Sequence, residues 1–183
     1  KLALILAAFA LVGTSMLAVT FSATKDNIAA SEKRAKLVLI AQILPPALYD
    51  NDIIRDAAQL PAVPELGTAE PTVVYRAQKD GQPAAVVLEV IAPDGYAGKI
   101  KLIIAIKTNG EVSGVRVVTH KETPGLGDYI EIAKNNWIKG FEGTSLDKYS
   151  SNDWKVKKDG GRFDYMTGAT ITSRAVIKAV HKT

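Results

Sequence analysis

From residue 2 to residue 23 the chain carries no charged side chain. A run of roughly 22 residues is long enough to cross a ~30 Å hydrocarbon core as one helix. No other feature narrows the architecture as much. Two competing explanations fit less well. A cleavable signal peptide has an apolar stretch of only ~7–15 residues, and cleavage after Ala23 puts bulky Phe21 where a small residue belongs. A buried core helix is shorter and striped, whereas this run is apolar all round. The expectation is an uncleaved anchor that contacts the lipid bilayer through residues 2–23. Lys1 precedes the run. A basic start places the N-terminus in the cytoplasm and the body on the outer side.

The chain has 183 residues, so the remainder is large enough for one domain with its own core. Asp26 is a plausible N-cap for a helix over residues 26–44, which Pro45-Pro46 stops. Residues 51–59 suit a short second helix, and 60–68, with Pro61, Pro64 and Gly67, read as loop. Strands are expected over 72–79, 84–92, 99–107 and 112–120. Their turn signals are Asp80-Gly81, Pro93-Asp94-Gly95 and Asn109-Gly110. In the third of these strands Lys101, Ile103, Ala105 and Lys107 alternate with Leu102, Ile104 and Ile106, so one face is more polar. Residues 128–139 have helical spacing, residues 154–157 and 162–165 suit a third hairpin, and 172–181 form a final helix with Thr172 or Ser173 near its N-cap. Strands in series with helices at the ends imply an α+β fold with an antiparallel sheet. The division expected is an anchor over 1–24, a helical connector and loop over 25–68, and one α+β domain over 69–183.

Composition removes several function classes. The net charge is +4, with no basic run interleaved with aromatics, which argues against nucleic-acid binding. Cysteine is absent, so disulfides, thiolate metal sites, iron–sulfur clusters and cysteine nucleophiles are excluded. His120 and His181 are far apart and lack a metal-ligand pairing, so no metal site is expected. No acid–base dyad and no nucleophile beside a base is evident, and no catalytic residue is assigned. Whatever chemistry such a chain performs has to come from carboxylates, hydroxyls, backbone groups or a bound cofactor.

The most informative segment is Asp164-Tyr165-Met166-Thr167-Gly168-Ala169-Thr170-Ile171-Thr172-Ser173. Small residues open a helix here, and Gly168 and Ala169 allow close approach to the backbone. The unpaired amides at a helix start favour an anion, phosphate above all. The plain alternative is a hydroxyl-rich N-cap supplied by Thr167, Thr170, Thr172 and Ser173. Upstream, His120-Lys121-Glu122-Thr123-Pro124-Gly125-Leu126-Gly127 joins a strand to a helical segment. Its plain alternative is a simple turn.

The first segment resembles the Asp-x-x-Ser/Thr-Gly-Ala-Thr motif of FMN-binding domains. The resemblance implies that a flavin transferase, using FAD as donor, esterifies the FMN phosphate to Thr170. It implies that Asp164 serves recognition by that transferase, and that Thr167, Gly168, Ala169, Thr172 and Ser173 surround the cofactor. The second segment resembles the Glu-Thr-Pro-Gly-Leu-Gly loop of the same family. This assigns Glu122, Thr123, Gly125, Leu126 and Gly127 to the flavin pocket, with Leu126 facing the ring; His120 is open between a pocket residue and a surface one. An N-terminal span followed by these two motifs is similar to the G subunits of Rnf electron-transport complexes. It is also similar to the related C subunits of the sodium-translocating NADH:quinone reductase, which generally carry longer insertions. The Rnf likeness implies an electron carrier in a ferredoxin:NAD oxidoreductase coupled to ion movement. It further implies partner subunits and a place in the bacterial inner membrane with the body on the periplasmic side. A non-redox anchored binding module and a stand-alone flavin reductase are the alternatives.

Overall fold

The computed structural model describes all residues, 1–183. The chain divides into two compact units, residues 1–38 and residues 39–183. The first is most of α1 (Leu2–Ile43), a single 42-residue helix. The expected start of a separate helix at Asp26 is not found. No glycine or proline interrupts residues 24–43, and extending a helix that already exists avoids the cost of nucleating a new one. Residues 2–23 of α1 are exposed all round, as a lipid-facing span requires.

The second unit is built on five strands: β1 (Ala58–Leu60), β2 (Thr72–Lys79), β3 (Gln82–Gly95), β4 (Gly98–Lys107) and β5 (Val112–Thr119). Every neighbouring pair is antiparallel, and the order in the sheet is the order in the chain. The α+β expectation with an antiparallel sheet is met. Asp80 and Gly81 both have positive φ (51° and 72°), the geometry a two-residue hairpin turn needs.

Several expectations need correction. Residues 51–59 are not a helix. They make a turn whose start Asp52 holds, accepting from the amides of Ile54 (3.0 Å) and Arg55 (3.1 Å), and then enter β1. The turn placed at Pro93-Asp94-Gly95 lies instead at Tyr96-Ala97, because β3 continues through an irregularity between Ala92 and Gly95. A register slip of this kind leaves room for Pro93, which has no N–H to give a ladder. Residues 128–139 form no α-helix but parts of two short 3₁₀ segments, Gly127–Ile130 and Asn136–Phe141. The third hairpin is replaced by one parallel bridge between Val156 and Phe163.

Both faces of the sheet are covered within this unit. On one, Val90, Ala92, Ile100, Leu102, Ile104 and Val115 join a core with Ile130, Ile138, Phe141, Phe163 and the helix α2 (Thr170–Lys182). Ile103 and Ala105, expected on a more polar face, are fully buried. The last residues of α1 pack on that side. A Cβ at Gly114 would come within 2.8 Å of Ile43, Ser113 Oγ donates to the Ile43 carbonyl at 2.7 Å, and buried Arg116 donates to Gln42 Oε1 at 2.9 Å.

Candidate functional site

The N-cap of α2 is Ala169, and no side chain caps the helix. The first amides of a helix find no partner inside it, so those of Thr170, Ile171 and Thr172 remain for an outside acceptor. Neither Thr172 nor Ser173 serves as the cap; both hydroxyls are buried and engaged elsewhere. Thr172 Oγ1 donates to Glu122 Oε2 at 2.5 Å. Ser173 Oγ pairs with the Tyr129 hydroxyl and donates to the Ala169 carbonyl at 3.3 Å. Burial pushes the Tyr129 phenol above its ordinary pKa, although its bond to Ser173 pulls the other way.

Glu122 is the buried link between three segments. Its Oε2 takes the Thr172 hydroxyl, and its Oε1 accepts from the Ala97 amide at 3.0 Å in the β3–β4 turn. Its own amide donates to His120 Nδ1 at 2.9 Å, which leaves His120 Nε2 to donate to Glu131 Oε1 at 2.6 Å. His120 therefore braces the loop rather than the cleft. The glycines explain the closeness. A Cβ on Gly127 would lie 2.8 Å from Glu122 Cβ, and one on Gly168 (φ +89°) would lie 3.1 Å from Leu126 Cδ1. Only residues without side chains let the loop and the helix start meet this tightly.

Together they bound a cleft of about 320 Å³. Among the site residues expected from sequence, Glu122, Thr123, Leu126, Gly127, Gly168, Ala169, Thr170 and Thr172 line it. Thr170 is half-buried there as the first residue of α2. Gly125, Thr167, Ser173 and Asp164 are not in the lining. Asp164 is exposed, forms an ion pair with Lys157 at 2.5 Å, and its carbonyl accepts from Trp137 Nε1 at 2.7 Å. The backbone at the start of the motif is thus fixed while the carboxylate points out.

Tyr96, Lys158 and Ile171 also line the cleft, and sequence reasoning passed over them. Tyr96 was legible in principle, since an aromatic between Gly95 and Gly98 is not what a turn calls for. Lys158 lay in a stretch read as hairpin, and only the tertiary fold brings it to the helix start. A lysine in the lining of a cleft that also holds an uncapped helix start favours an anionic occupant.

Comparison with known proteins agrees with this geometry. Residues 95–183 match the FMN-binding domain family, and residues 1–43 match the RnfG N-terminal region. The G subunit of the ion-translocating oxidoreductase complex of Vibrio cholerae is 50% identical over 182 residues, covering 100% of this chain and 87% of its own length. Its namesake from Pseudomonas aeruginosa is 46% identical over 180 residues, 98% of this chain and 84% of that one. The one from Shewanella amazonensis is 46% identical over 183 residues, 100% and 85%. The chain belongs to the family of Rnf G subunits of ion-translocating oxidoreductase complexes, and its residues 95–183 are an FMN-binding domain.

Proposed function

We propose that this chain is an electron-carrying flavoprotein subunit of a membrane-bound Rnf-type ferredoxin:NAD oxidoreductase, with FMN held through its phosphate by an ester to Thr170. One observation carries the reading. Two motifs more than forty residues apart, 122–127 and 168–172, line a single cleft, and Thr170 is among the lining residues. The residues present suit the group. Uncapped amides at the start of α2, with Lys158 in the same lining, suit a phosphate.

In this reading Thr170 Oγ1 bonds to the FMN phosphorus of FAD as AMP leaves, a transfer made by a separate flavin transferase. Exposed Asp164 is the group the transferase meets. Leu126 offers an apolar face to the ring, and Thr123, Gly125 and Gly127 shape the loop beside it. Thr167, Gly168 and Ala169 form the turn that presents the ester. Thr172 and Ser173 support the site from within, through Glu122 and Tyr129. Bound there, FMN supplies the electron transfer that this chain's own side chains cannot. The ester keeps the cofactor from being lost outside the cytoplasm.

Residues 1–24 act as the single-pass anchor in the bacterial inner membrane. Residues 25–68 connect it to the FMN-binding domain of residues 69–183 on the periplasmic side, where other subunits of the complex donate and accept electrons. Intact mass of protein from its native host tests the central claim. The expected adduct is FMN minus water, on the peptide containing Thr170. Thr170→Val removes the adduct and the fluorescent band on a denaturing gel, while membrane insertion and fold persist. A bare wild-type peptide, or an adduct that survives in Thr170→Val, refutes the assignment.

A further inference from the structure

Outside α1 the chain exposes five large apolar side chains: Tyr96 (69%), Leu126 (39%), Leu146 (63%), Met166 (36%) and Ile171 (48%). Scattered singly, such residues need no explanation. Here four of the five gather at one place. Tyr96, Leu126 and Ile171 line the Thr170 cleft. Met166 sits in the turn leading into it, its carbonyl accepting from the Ala169 amide at 2.9 Å. A cluster of this kind around a polar centre is what a planar, mostly apolar ligand with an anionic tail requires.

Tyr96 stands apart from the rest. It occupies the β3–β4 turn between Gly95 and Gly98, where turn geometry asks for no aromatic. Its ring is the most exposed of the five, yet the backbone that carries it is tightly fixed. The Ala97 amide donates to Glu122 Oε1. Gly95 lies so close beneath that an added Cβ would fall 2.9 Å from the same oxygen and 2.2 Å from the Gly98 carbonyl oxygen. The other oxygen of that carboxylate holds Thr172, two residues beyond Thr170. Glu122 thus ties the turn that bears Tyr96 to the helix start that bears the acceptor hydroxyl. An exposed aromatic on a rigid backbone is a preorganised face for another ring, and offset stacking is its favoured contact.

We propose that Tyr96 packs against the isoalloxazine of the cofactor at Thr170, and that Glu122 is the positioning residue holding Tyr96 in register with Thr170. The proposal rests on the reading of Thr170 as the FMN attachment point. Leu126 and Ile171 supply further apolar surface for the ring. A ring seated on such open residues keeps one edge available to a neighbouring subunit.

The experiment uses the full chain, produced with a flavin transferase and purified in detergent, as wild type, Tyr96→Ala and Glu122→Ala. Mass spectrometry first establishes the adduct on the Thr170 peptide in each. Flavin fluorescence and its quenching by iodide are then measured. A tyrosine in van der Waals contact suppresses flavin emission, so Tyr96→Ala brightens it at least about twofold and raises iodide access. Glu122→Ala, which removes both hydrogen bonds, brightens it less although Tyr96 is still present. Full adduct in Tyr96→Ala with unchanged emission and iodide access overturns the stacking role. Loss of the adduct in that variant, with circular dichroism unchanged, also overturns it, since Tyr96 would then serve attachment. Glu122→Ala indistinguishable from wild type overturns the positioning role. A wild type without any adduct removes the Thr170 reading itself, a failure distinct from the other three.

Discussion

Thr172 illustrates how much of the site depends on hydroxyls engaged by the protein itself. Its side chain is fully buried, and its bond to Glu122 is one of two that satisfy a buried carboxylate. Thr172→Val keeps the shape and removes the donor. Leaving a buried acceptor short of a partner costs about 1–3 kcal/mol. The thermal midpoint of the detergent-solubilised chain is expected to fall by roughly 2–12 °C; a melt unchanged within error means that water or another donor replaces the hydroxyl. From sequence, Thr172 and Ser173 looked like two more members of a hydroxyl-rich helix start. Nothing local distinguishes a threonine that caps from one that bonds a carboxylate fifty residues away. Thr170 itself was legible because its neighbours formed a motif, whereas Tyr96 and Lys158 become site residues only when β3, β4 and the 3₁₀ turn Lys157–Asp159 are folded next to α2.

At the level of elements, the hairpin β4–β5 is tied to the segment after Asn136–Phe141 by Glu111. Its carboxylate meets Lys107 Nζ at 2.6 Å and Lys148 Nζ at 2.7 Å. Hydrogen bonds from Lys107 and then Lys148 pull its pKa from 4.5 down to about 2. A folded-state pKa below the unfolded one means the pair stabilises fully above pH 4.5 and loses that contribution as pH falls towards about 2. Both lysines are open to solvent, so salt screens the effect. Denaturation followed down this range at low salt shows a steeper acid loss in wild type than in Glu111→Gln; parallel curves refute the linkage. The strands themselves were readable from alternation and from Asp-Gly and Asn-Gly turns, and β2 begins and ends where the pattern put it. The elements that were not readable are those without a period. A 3₁₀ turn such as Asn136–Phe141 is too short to show one, and its place is decided by Trp137 and Phe141 joining an aromatic row with Tyr129 and Phe163. β1 is three residues long and exists only as a partner for β2.

For the whole molecule, the boundary that matters does not coincide with the end of the apolar run. Ile40, Ile43 and Leu44 are each 1% exposed or less and belong to the residue 39–183 unit, although the first two still lie in the helix that starts at Leu2 and Leu44 directly follows it. A chain begun at Leu39 is expected to be folded and to leave the membrane fraction. One begun at Ala47 forfeits three buried aliphatic side chains, roughly 5 kcal/mol in all, comparable with the entire stability of many domains. Circular dichroism melts of the two check this, and equal midpoints refute it. The sheet order carries a consequence for biogenesis. Each strand pairs with the one made just before it, and the last ends at Thr119, about fifty residues ahead of Thr170. During synthesis the five strands are complete before position 170 leaves the ribosome. On the Thr170 reading, a tethered cofactor is added to a sheet whose strand order neighbours in the chain have already set, and its chemistry can be gained or lost without rewriting that order.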